Sequence, residues 1–267
     1  MIIFFIEKKQ KIMENISTEQ AGQMNFTLPH DVVTLPTGGI FYKSKKKSVK
    51  IGYLTAADEN TLISIIGSNT TTNQLIMNLV RNKLYETDIR PDELLEGDVE
   101  SILIFLRNTS FGPEYNLSVT DPSTNKLFQT TVILDEIDIK KSTITPDSEG
   151  YFSTILPKSN VGVKLKPLSY GDLIELEKMA DAYPQGRTVP RVTWRLNKQI
   201  MEVNGNTDRN YIAQFIETMP IMDSKYVRKF MLDNEPRLDL TRQVIAPSGE
   251  KVNVDINFGV EFFRPFF

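Results

Sequence analysis

VKIGYLTAADENTL, residues 49–62, and VKLKPLSYGDLIEL, residues 163–176, decide the fold. Aligned without a gap, Val49, Lys50, Ile51, Leu54, Thr55, Asp58 and Leu62 meet Val163, Lys164, Leu165, Leu168, Ser169, Asp172 and Leu176. Each stretch begins with alternating apolar residues, the period of a half-buried strand. Each then runs into a hydroxyl residue followed three positions later by a carboxylate, the signature of a capped helix start. Two further matches lie outward from this pair. SILIFLRN (101–108) meets VRKFMLDN (227–234), and Asp121-Pro122-Ser123 meets Ala246-Pro247-Ser248, each triplet just before an alternating run, TTVIL or KVNVDI. Three matches in one order, at offsets of about 114 to 126 residues, predict a diverged tandem duplication. The expected fold is α+β: two tandem pseudo-repeats, each with N-terminal strands, a helical middle and a C-terminal β-hairpin. The expected boundaries are a flexible arm over 1–27, lobe one over 28–140, a linker over 141–150 and lobe two over 151–267. A pseudo-symmetric body of this kind is more naturally a connector than an enzyme.

Composition narrows the function. Hydrophobic content of 40% and charged content of 24% are those of a soluble globular chain. A net charge of −3 supplies no basic field for nucleic acid. With no cysteine there is no disulfide, no thiol nucleophile and no cysteine zinc site, which fits a reducing compartment. The opening MIIFFIEKKQKI is too short for a membrane span and lacks the order of a signal peptide. It is expected to be a translated upstream stretch, with the true start at Met13, or else a flexible arm.

Along lobe one, LPTGGIFY (35–42) reads as a turn running into strand-like aromatic residues, with Gly38 and Gly39 free to take positive φ. Thr55 caps a helix extending to Gly67. QLIMNLVRNKL forms a second helix, with Leu75, Ile76, Leu79 and Val80 on one face. DVESILIFLRNTS is a third, and NLSVT with LFQTTVIL is a hairpin. In lobe two, YFSTILP and VGVKLKPLS are strands and Ser169 caps the next helix. TVPRVTWRLNKQIMEVNG, DRNYIAQFIETMP and DSKYVRKFML read as helices before a second hairpin.

Candidate site residues are few. Lys45, Lys46 and Lys47 form a possible anion contact, for a phosphate or lipid surface; the plain alternative is a solvated loop that guards a sheet edge. Asp135, Glu136 and Asp138 could meet a hard cation but lack EF-hand spacing, so a solvated face is expected. His30, the one histidine, has no nucleophile motif to serve, and Gly38-Gly39 is not followed by the G-K-[ST] of a phosphate loop. Trp194 is expected in packing. The tail VEFFRPFF carries four phenylalanines in six residues, Phe262, Phe263, Phe266 and Phe267, around Arg264 and Pro265. Left in water it would promote aggregation. It is expected to dock, either between the lobes or on a partner.

Several of these motifs, in this order, resemble the T4-type phage baseplate hub family. Leu35, Pro36, Gly38 and Tyr42 match its opening; Thr55, Asp58 and Glu59 its helix start; Gly97, Asp98 and residues 102–107 its third element; Phe262, Phe263 and Pro265 its ending. The resemblance covers about residues 28–267. It implies a structural or assembly component of a contractile tail, binding other baseplate or hub proteins. Its setting would be the virion tail baseplate, reached through the host cytoplasm. The alternative is an assembly chaperone absent from the finished particle. A distant third reading is an enzyme using carboxylates at an interlobe cleft. The chain departs from the family where relatives place a CxxC-like knuckle: Asp121 and Thr124 stand there, and residues 246–249 again lack cysteine. Zinc needs sulfur or imidazole ligands, so these turns are expected to be metal-free and held by turn chemistry alone, and no cofactor is expected.

Overall fold

The computed structural model describes residues 29–64, 71–86 and 88–263. The predicted arm, the extension of the first helix beyond Ser64, and Arg264, Phe266 and Phe267 of the tail lie outside the described residues.

Strands β1 (His30–Thr34) and β2 (Ser48–Gly52) pair antiparallel, with Val33 opposite Val49. The loop between them corrects one expectation: IFY forms no strand. Successive turns run through it, from Gly38 N to Leu35 O, Tyr42 N to Gly39 O and Lys45 N to Tyr42 O. The cause is local. Gly38 and Gly39 take φ of 59° and 76°, which coils the chain, and a Cβ on Gly39 would stand 2.3 Å from the Lys46 carbonyl oxygen.

Helix α1 (Ala56–Ser64) begins at Thr55, whose N–H donates to the Asp58 carboxylate at 2.7 Å. Helix α2 (Thr72–Lys83) is capped by the Thr71 side chain and buries Leu75, Ile76, Leu79 and Val80, the predicted face. Directly after it, Leu84 forms a bridge beside Ile51 of β2. Helix α3 (Glu96–Phe111) ends at Gly112, where φ is 81°. The first hairpin follows as β3 (Glu114–Thr120) and β4 (Leu127–Ile133).

After β5 (Ile139–Lys140), strands β6 (Phe152–Ile155) and β7 (Gly162–Leu165) lead to helix α4 (Tyr170–Asp181). Ser169 and Asp172 form a reciprocal capping box at its start. The next segment holds a second correction. The expected helix through Gly205 stops at Gln199 as α5 (Arg191–Gln199), and β8 (Ile200–Val203) follows as the third strand of a β6-β7-β8 sheet. Ile200 and Val203 are buried on that sheet. Asn204 and Gly205, both at positive φ, then turn the chain back. Helices α6 (Arg209–Thr218) and α7 (Ile221–Asn234) precede β9 (Arg237–Leu238), β10 (Thr241–Ile245) and β11 (Lys251–Asp255), the last two forming the second hairpin. The described residues therefore hold seven α-helices and small antiparallel sheets, an α+β architecture.

Two apolar cores result. One gathers the buried Phe152, Leu156, Leu165, Leu196, Ile212, Val227 and others between residues 152 and 231, with Phe41 packed against them. The other gathers Leu35, Ile51, Val80, Ile102 and Leu106 with Tyr170 of α4, and also Val244, Ile256, Phe262 and Phe263 from the end of the chain. The polypeptide thus leaves the first core, builds the second and returns to the first. Pairing of β5 with β9 marks the return, with Ile139 opposite Leu238. At the seam, Tyr170 N donates to Leu94 O at 2.7 Å, and Thr71 Oγ1 donates to Glu177 of α4 at 2.9 Å.

Candidate functional site

The opening loop and the start of α3 meet in a buried polar node. Asp98, fully buried, accepts from Thr37 N at 3.0 Å through Oδ1 and from Thr37 Oγ1 at 2.6 Å through Oδ2. The Tyr42 hydroxyl also donates to Oδ2 and accepts from Leu95 N at 2.9 Å. Burial pushes the Asp98 carboxyl up, against the pull of the Thr37 and Tyr42 bonds. Burial, then the adjacent Asp98, raises the Tyr42 hydroxyl well above its ordinary value. Gly97 beside it serves another contact: a Cβ there would stand 2.6 Å from Pro236 O, where the chain enters β9. Two motifs far apart in sequence therefore meet at one point. Every donor facing Asp98 comes from the loop it fixes, so the node positions a loop and leaves no free group for chemistry.

The two hairpin tips form a second node. Asp121 Oδ1 accepts from Ser123 N at 3.0 Å within its own turn and from Ser248 Oγ at 2.8 Å in the other hairpin. Its Oδ2 accepts from Ser248 N at 3.2 Å, and Ser123 Oγ donates to Glu250 Oε1 at 2.5 Å. Burial works against the Asp121 charge, but the Ser248 and Ser123 bonds outweigh it and hold the carboxyl below the usual range. The turns are joined to each other, which turn chemistry alone did not anticipate. The signal available in the sequence was the pair of matched Pro-Ser triplets.

The predicted site residues are dispersed. Lys45 donates to Ile40 O at 2.8 Å and to Ser148 O at 3.0 Å, tying the loop to the 141–150 segment. Lys46 pairs with Glu86 and, at 2.7 Å, with Asp88. Lys47 is exposed. Lys45 and Lys46 thus spend their charge within the chain. Phe262 and Phe263 are buried in the first core, with Phe262 ring centres 5.3 Å from Tyr115 and 4.8 Å from Phe258. Beneath them the Arg107 guanidinium lies 5.8 Å from the Phe262 ring centre and donates to Gly112 O and Glu114 O. Trp194 packs edge-on to Tyr183, and Asn108 donates to Asp135.

A cleft of about 450 Å³ lies at the seam, lined by Tyr42, Lys43, Glu149, Lys166 and Asp172 among others. Three of its carboxylates are engaged: Asp172 pairs with Lys198 at 3.2 Å and Lys166 at 3.6 Å, Asp88 with Lys46 and Glu93 with Arg90. Burial opposes the Asp172 charge, yet Lys166, the Ser169 N–H and Lys198 together hold it below the usual carboxylate range. Among the described residues no group of three or more His, Cys, Asp or Glu is placed to hold a metal ion, and no helix is long and apolar enough to cross a membrane.

The family model for the T4 bacteriophage base plate protein matches residues 39–264, both halves and both nodes from Gly39 onward. The chain belongs to this family. It is a phage baseplate protein, its setting the virion tail baseplate among other baseplate proteins. No curated protein and no solved structure matches it.

Proposed function

We propose that the protein is a structural component of the baseplate hub, joining neighbouring hub proteins through faces of its two halves. The family match across residues 39–264 carries this reading. Exposed apolar side chains support it. Leu127 and Ile245, 73% and 69% exposed, flank the joined hairpin tips, and Ile221 and Met222, 75% and 60% exposed, open α7. Such side chains suit contact with another protein better than contact with water. A hub component must be present in the purified particle, so mass spectrometry of virions tests the reading. Absence from the particle, with presence in tail intermediates, would favour the assembly chaperone instead.

A diverged duplication, residues 28–140 and 151–267 joined by 141–150, is our reading of the two halves. Matched residues in equivalent surroundings support it. Thr55 with Asp58 and Ser169 with Asp172 both cap helices, and each aspartate meets a lysine at the end of the following helix, Lys83 or Lys198. Ile51 bridges Leu84 just after α2, and its counterpart Leu165 pairs with Ile200 just after α5. A duplicated body offers two related but non-identical faces to its neighbours.

A further inference from the structure

A cavity of about 230 Å³ opens between α2, α3, α4 and the segment after β11. Thr72 and Asn257, both exposed, stand at its rim; Ile76 and Phe258 give it apolar walls; Glu96 and Glu100 give it carboxyl oxygens. Glu100 is only 8% exposed, and its Oε2 has no hydrogen-bond partner among the described residues. The Leu238 N–H serves the same carboxylate, and Arg237 lies near enough to act on its charge. Around it stand Glu96 on the same helix, Glu235 at the end of α7 and Tyr170 on α4. A buried carboxylate oxygen without a donor is costly, and a native chain that keeps one has a use for it.

We infer that this cavity receives a lysine side chain from a neighbouring baseplate protein. The inference rests on the protein-binding reading above and names the chemistry of one contact. The aliphatic stem of lysine suits the Ile76 and Phe258 walls, and its ammonium brings three donors to a place that lacks them. Glu100 Oε2 and Glu96 supply acceptors. The Tyr170 hydroxyl, which donates to Asn73, keeps lone pairs for a third bond. A bare cation would leave the apolar walls unused, and the compact ammonium brings three donors for the three acceptors Glu100 Oε2, Glu96 and Tyr170.

Burial, reinforced by Glu96, raises the Glu100 carboxyl to about 8, so an entering ammonium must displace a proton at neutral pH. The probe is n-butylammonium, a lysine stem without a backbone, titrated into the full chain with carboxyl-labelled glutamate followed by NMR. The expected result is saturable binding that moves the Glu100 signal. Affinity should rise about tenfold per pH unit below pH 8 and level off above it. Glu100→Gln should weaken binding at least tenfold while keeping the native spectrum. Equal binding by that variant, no saturable shift, or an equal effect of potassium at matched ionic strength would each overturn the inference. None of these outcomes depends on whether the protein is found in virions, so failure here and failure of the hub reading remain separable.

Discussion

At Asp98 three donors converge from a segment 56 to 61 positions earlier in the chain. Truncation by Asp98→Ala would leave Thr37 and Tyr42 facing a dry void, each with an unmet donor. Urea unfolding should register a loss of about 3 kcal/mol or more. Glu100 predicts the opposite sign. Its folded value of about 8 exceeds the ordinary glutamate value of 4.5, so the folded state binds more protons between these limits. Stability should therefore fall as pH rises from about 4.5 to about 8, with the full penalty present above that. Glu235, raised to about 7 by burial and then by Glu96, adds a fall of the same sign. Melting curves of Glu100→Gln across this range should be flatter than those of the parent and higher at the alkaline end. The two carboxylates differ in a way the sequence does not encode. Asp98 and Glu100 both sit in the first turns of one amphipathic helix, where acids are expected for the helix dipole. Only the packing of distant segments makes one a sealed acceptor and leaves the other with an unpartnered oxygen.

Elements were legible in proportion to how local their causes are. Thr55 and Ser169 announce their helices because cap and carboxylate stand three positions apart, and the hairpins announce themselves by alternation around Asp-Pro-Ser and Pro-Ser-Gly. The strand β8 did not. Its residues continue the α5 pattern without a break, and only the Asn204-Gly205 turn and an open edge on β7 make Ile200–Val203 a strand. The two-residue strands β5 and β9 carry no periodicity at all; they exist because their neighbours bring them together. Gly97 is the test of that approach. With Pro236 O 2.6 Å from where a Cβ would stand, Gly97→Ala should displace β9 and cost about 1–3 kcal/mol. Hydrogen exchange at the Leu238 amide, near the displaced contact, should quicken. At the hairpin tips, Asp121→Ala should release the two turns from one another. Faster exchange of the Ser123 and Ser248 amides, with the β3–β4 and β10–β11 ladders intact, is the expected signature.

The whole molecule holds together by its return path. Phe262 sits between Tyr115, Phe258 and Phe263 with Arg107 beneath, so Phe262→Ala should cost about 3–5 kcal/mol in thermal or urea unfolding. The same geometry predicts that a fragment covering 28–140 will not fold cooperatively alone, since Val244, Ile256, Phe262 and Phe263 complete its core. A fragment spanning 150–235 keeps every buried member of its apolar cluster, losing only the Phe41 contact, and should retain helical structure by circular dichroism. That Phe262 and Phe263 are buried accords with their apolar chemistry. The surface that buries Phe262 could not be read from the sequence, since Tyr115 and Arg107 are spaced as ordinary members of a hairpin and a helix.

That return path has a consequence during synthesis. On the ribosome, the first core cannot close until residues 244–263 emerge, although most of its members were made long before. At about 5–20 residues per second, the chain beyond residue 140 takes roughly 6 to 25 s to appear. Through that interval the apolar faces of α2 and α3 stand open beside a nascent second core that can already collapse. A message cut short anywhere before Phe262 therefore yields a polypeptide whose opening half stays unsealed. Host proteases and holdases recognise such chains, so only full-length copies would reach the growing tail.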